Sequence, residues 1–93
     1  MYYTKKGMSD MKIKMGKSGM CPIIQVYTKK HGATVVLWGV VEHPKSKKKV
    51  QIVLGEYEFI EPNRFRVEAL DKGDIGEAQS AKEAKEMILA CFN

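Results

Sequence analysis

The chain is poor in the features that mark secreted, membrane and catalytic proteins. It has two cysteines in 93 residues, Cys21 and Cys91. Two cysteines make neither a disulfide framework nor a four-ligand zinc site, so they read as reduced thiols of a protein kept inside a cell. The longest apolar run, Thr34–Val41, is interrupted by Gly39, far short of the ~20 residues that cross a bilayer. The N-terminus has lysines but no apolar h-region, so no signal peptide is expected and the localisation reads as cytoplasmic, with no membrane partner. His31 and His43 sit in lysine-rich turns with no recognisable motif. They read as turn residues rather than catalysts. The acids fall singly on alternating strand faces and no pair converges. The expectation is a protein that is not an enzyme and holds no metal or cofactor.

What the sequence does have is lysine. There are fourteen Lys and only two Arg, and the net charge is +5. Residues 1–49 carry eleven Lys against Asp10 and Glu42, whereas residues 50–93 carry five bases against nine acids. Such asymmetry points to a polyanionic partner or to self-association of unlike ends. Lysine is a solvated point charge and arginine a planar fork, so a lysine surface suits phosphate attraction better than base reading. Length and composition (44% hydrophobic, 29% charged) describe one globular domain with a modest core.

Residues 1–20 hold five Met, five Lys and three Gly with no clear period. They read as a flexible basic leader before a single domain over residues 21–93, with a short strand expected at Met11–Met15. Gly16-Lys17-Ser18 looks like the end of a phosphate-binding loop. The pattern requires a Gly where Met11 stands and a helix where Cys21-Pro22 and a strand follow, so nucleotide hydrolysis is not expected. Beyond Cys21 the punctuation is regular. Strands are expected at Ile23–Thr28, at Ala33–Glu42 (central, with Trp38 in the core), across Val50–Glu61, at Phe65–Leu70 and at Ile75–Gln79. In the third of these the apolar phase shifts from even to odd positions across Gly55, which predicts a bulge or bend in one curved strand. Ser80 with Glu83 has capping-box spacing. Ala81, Ala84, Met87, Ile88 and Cys91 form an apolar stripe, so a helix is expected over Ala81–Phe92. The fold class is α+β: a five-strand (up to six) antiparallel meander with one C-terminal helix packed on one face.

A meander alternates its turns between the two ends of the sheet. One end then collects Lys29, Lys30, His31, Arg64, Lys82 and Lys85. The other collects Lys12, Lys14, Lys17, the loop lysines Lys45, Lys47, Lys48 and Lys49, and Lys72. The helix start, with Ser80 and flanking lysines, is a reasonable phosphate site. Together with Arg66 on the fourth strand, the candidate nucleic-acid-binding residues are Lys29, Lys30, Lys45, Lys47, Lys48, Lys49, Arg64, Arg66, Lys82 and Lys85. Tyr27, Tyr57, Phe59 and Phe65 stand near these bases, and alternation assigns most of them to the core.

Phe65-Arg66-Val67-Glu68, then Gly76-Glu77, then Ser80-Ala81-Lys82-Glu83-Ala84-Lys85 form a recognisable succession. On these stretches Glu56–Asn93 resembles the C-terminal half of a double-stranded RNA-binding domain. The resemblance implies strand, strand, strand, helix, with Lys82 and Lys85 contacting phosphates across a groove. The first lysine of the family's helix start is Ala81 here. No counterpart of its first helix is visible, because Val50–Leu54 reads as strand. The basic loop between its first two strands shrinks to Pro62-Asn63. The favoured function is a small, largely sequence-tolerant RNA-binding protein. The alternative is a small inhibitor or adaptor of the phage or mobile-element type, binding a host protein such as a nuclease, with or without RNA. A head-to-tail homo-oligomer is a third expectation, from the unlike charge of the two halves.

Overall fold

The structure is a computed structural model and describes residues 2–3, 11–16 and 19–92. Lys17 and Ser18, two of the three residues of the phosphate-loop look-alike, lie outside the described residues. The elements run β1 (Tyr2–Tyr3), β2 (Lys12–Lys14), β3 (Met20–His31), β4 (Thr34–Glu42), β5 (Lys49–Glu61), β6 (Arg64–Ala69), β7 (Gly73–Ala78) and α1 (Ala81–Ala90). Strands β3 to β7 pair antiparallel in chain order, as the meander expectation requires, and the helix packs against β5, β6 and β7. Strands β1 and β2 both pair with β3, at Val26–Tyr27 and at Met20–Pro22. Met11 and Ile13, in the stretch read as leader, are buried in the core.

The phase shift read at Gly55 is real and has a geometric cause. Leu37 pairs with Gly55 but Trp38 with Val53, which leaves Leu54 as an extra residue in β5. Leu54, Gly55 and Tyr57 are all buried, so the bulge turns an even-numbered apolar face into an odd-numbered one without breaking the strand. Gly55 is required there. A β-carbon at this position would lie 2.4 Å from the Glu68 carbonyl oxygen and 2.8 Å from a methyl of Ile88. The missing side chain is what lets the helix reach the sheet.

The core lies on the helix side of the sheet. Ile23, Val26, Leu37, Val41, Leu54, Tyr57 and Val67 meet Ala84, Ile88 and Leu89 there. The helix begins at Ser80, whose side chain accepts from the Glu83 N–H at 3.1 Å, while the Glu83 carboxylate accepts from the Gln79 N–H at 3.3 Å. The Glu83 N–H is one of the helix's first-turn orphans, and satisfying it favours a helix start at this position.

Trp38 is not in this core. Leu37, Gly39 and Val41 face the helix, and alternation sends Trp38, between Leu37 and Gly39, to the opposite face, where it is half-buried. The nearly unbroken apolar run of β4 hid this, because a strand with both faces apolar does not declare which face meets the helix.

Candidate nucleic-acid interface

The face of the sheet away from the helix is divided by charge. On its β3–β4 side, Tyr27 and Trp38 are cross-strand partners. Their rings are nearly parallel (6°), with centroids 6.3 Å apart. The Lys29 ammonium, two residues along the same face of β3, sits 5.3 Å from the Trp38 ring centre and 5.9 Å from that of Tyr27. This is cation–π distance to both rings. The Tyr27 hydroxyl donates to Gln51 Oε1 on β5. Lys49 follows two residues earlier on the same face of β5 and leads into the His43–Lys48 loop. The result is a track of cations and aromatic rings running from Lys29 to the exposed lysines of the loop.

His43 organises that loop. Its Nδ1 accepts from the backbone N–H groups of Lys45 and Ser46, each at 3.2 Å, and the His43 backbone N–H donates to the Lys48 carbonyl at 2.8 Å. Lys47 adopts φ 62°, a left-handed conformation. Among the described residues, the other two non-glycine residues with positive φ are Asn63 and Asp71, types that tolerate it through their short polar side chains. Lysine has no such advantage.

The β5–β7 side of the same face is acidic. Glu56 pairs directly with Glu68, and Glu68 with Asp74, so three carboxylates stand in one cross-strand row. Like charges in direct opposition disfavour the pairing. In the next row Arg66 lies between Glu58 and Glu77, and its Nη2 is 2.7 Å from Glu58 Oε1. Arg64 binds Glu77 through Nε and Nη2 at 3.1 and 3.0 Å, and reaches Glu61 at 3.4 Å. Its hydrogen bonds to Glu77, then that carboxylate's charge, raise its already high pKa.

The ten candidate cations therefore do not form one site. Lys29 belongs to the aromatic cluster, and Lys45, Lys47, Lys48 and Lys49 belong to the loop end of the track. Arg64 and Arg66 are occupied by carboxylates. Among the described residues both arginines are ion-paired and no lysine is. Lys82 and Lys85 are on the helix, on the other side of the sheet from Trp38. Lys30 points to the helix side, where it borders an apolar trough of about 340 Å³ formed with Val35, Tyr57, Phe59, Phe65 and Ala81. Phe59 and Phe65 make an edge-to-face pair there, 5.6 Å between centroids, and Phe59 and Ile60 remain 47% and 43% exposed.

Trp38 is the functional candidate that sequence reasoning placed elsewhere. The signal for it was the i, i+2 spacing of Tyr27 and Lys29 on β3, which is informative only once the register puts Trp38 opposite Tyr27. Among the described residues no group of His, Cys, Asp and Glu is placed to hold a metal ion, and no helix is long and apolar enough to cross a membrane. Comparison of the chain with protein-family models, with curated proteins and with solved structures returns no match.

Proposed function

We propose that the chain is a small RNA-binding protein, largely sequence-tolerant, whose lysines engage phosphates along the helix-free face of the sheet. The observation that carries this reading is the segregation of charge on that face. The arginines are neutralised by carboxylates, while Lys29 at one end of the track and Lys49 with the loop lysines at the other make no ion pair. Lysine without a protein partner is free to exchange counterions with a polyanion. The backbone of Lys47 adds support. A left-handed position occupied by lysine, where glycine is easier, supports a use for the charge itself there.

The test is binding of fluorescently labelled RNA, read by anisotropy over a range of salt concentrations. Affinity is expected to fall steeply with salt and to vary little with sequence. Replacing Lys47, Lys48 and Lys49 together by alanine is expected to weaken all sequences alike. It should reduce the slope of log affinity against log salt by about 2, from roughly 0.7 per phosphate contact on a single strand. An unchanged slope would assign the loop to solubility alone.

A second reading, a protein-binding inhibitor or adaptor, is favoured by one observation: the trough lined by Val35, Phe59 and Phe65 leaves apolar surface open to solvent. Pull-down with and without nuclease treatment separates the two readings, since contacts that survive digestion are protein–protein.

A further inference from the structure

The pair Tyr27–Trp38 has a geometry that lysine electrostatics does not explain. Both rings are half-buried on the helix-free face, beside Val36, Val40 and Val53, nearly parallel to each other, and the exposed Lys29 ammonium lies over both. The Trp38 indole Nε1 is covered yet has no hydrogen-bond partner. A buried indole N–H usually has one. The rings are neither part of the helix-side core nor simply solvated.

From this cluster we infer that Tyr27 and Trp38 are a stacking platform for an unpaired nucleobase, with Lys29 as its movable cap, so that the substrate class is single-stranded RNA. The inference rests on the RNA-binding reading above and deepens it. An exposed lysine held only by two π faces is released when a phosphate offers it a full negative charge. Lys29 then swings to the backbone of the strand and a base takes its place over the rings. Every base has a π face, so this contact adds affinity without adding sequence preference. A duplex keeps its bases stacked on one another and cannot make the exchange. The helix lysines Lys82 and Lys85, which the double-stranded resemblance singles out, lie across the sheet from this platform and do not share a ligand surface with it.

Trp38 is the single tryptophan of the chain, so its emission reports this site alone. The experiment titrates the intact protein with three labelled probes: an oligouridylate of about ten nucleotides, an abasic ribose-phosphate strand of equal length and charge, and an RNA duplex. Label anisotropy reports binding and Trp38 emission reports stacking. All three are expected to bind at low salt, and the oligouridylate alone to quench Trp38 strongly. Tyr27→Ala, its fold checked by circular dichroism, is expected to lower oligouridylate affinity about tenfold and leave the abasic strand unaffected. Equal quenching by the abasic strand would show only the departure of Lys29 and overturn the stacking platform. Oligouridylate binding with silent Trp38 emission would also overturn it while leaving the RNA reading intact. Failure of every probe to bind would overturn both. The titration of the unmodified chain decides the matter if Tyr27→Ala does not fold.

Discussion

Adding one methyl group at Gly55 would set a carbon against the backbone oxygen of Glu68 and against Ile88, a fully buried residue of the helix. Neither neighbour is the loose end of a flexible chain, so the sheet and helix would have to part. Gly55→Ala is expected to destabilise the protein by about 2 kcal/mol or more, read as a lower urea midpoint at unchanged m-value. Gly39 offers a contrast. There the obstructing atoms belong to the Leu54 side chain, at 2.9–3.1 Å, and a side chain gives way more readily than a carbonyl. The importance of Gly55 was legible in the sequence, because the apolar phase changes parity across it. The position of Trp38 was not, since Val36, Leu37, Val40 and Val41 surround it with apolar neighbours on both faces. The pairing of Arg64 and Arg66 was hidden for a different reason. An arginine looks like a free cation until the register of β5, β6 and β7 brings Glu58 and Glu77 alongside.

Among the elements, α1 was the most fully announced. Its cap, its apolar stripe and its first turn are all local, and local interactions can be read without knowing the sheet. The helix ends at Ala90 rather than Phe92, a difference confined to the last, fraying turn. Ser80→Ala removes the hydrogen bond to the Glu83 N–H and is expected to cost about 1 kcal/mol in thermal or urea unfolding. On the proposed RNA-binding reading, binding by the track on the opposite face should be unchanged by it. The five strands of the meander were predicted in order because hairpin turns punctuate them, whereas β1 at Tyr2–Tyr3 was not expected. The length of β3 exceeds the expectation, by three residues beyond each end of Ile23–Thr28. Polar ends such as Lys29, Lys30 and His31 carry no β signal of their own and are held by pairing with Val36, Val35 and Thr34.

The whole molecule is an elongated body, 44 Å along its longest axis against 24 and 23 Å across. Its charge segregation follows from meander order: β3 and the loop after β4 carry lysines, and β5 to β7 carry most of the acids. Consecutive pairing thus converts a difference between halves of a chain into a difference between two sides of one sheet. Length has a consequence of its own. A ten-residue helix is roughly 15 Å long, whereas the thirteen residues of β5 span roughly 40 Å. One helix therefore roofs little more than a third of its strand. Met11 and Ile13 help to close one remainder, and the stretch with Phe59, Ile60 and Phe65 is left open. Amide hydrogen exchange should accordingly grade along a single strand, slowest around Leu54–Tyr57 beneath the helix and fastest toward Ile60 and Glu61. Uniform protection along β5 would mean that the uncovered end is roofed in solution by something else. Between those extremes the protein behaves as a beam clamped near its middle, whose free end bends before its centre gives.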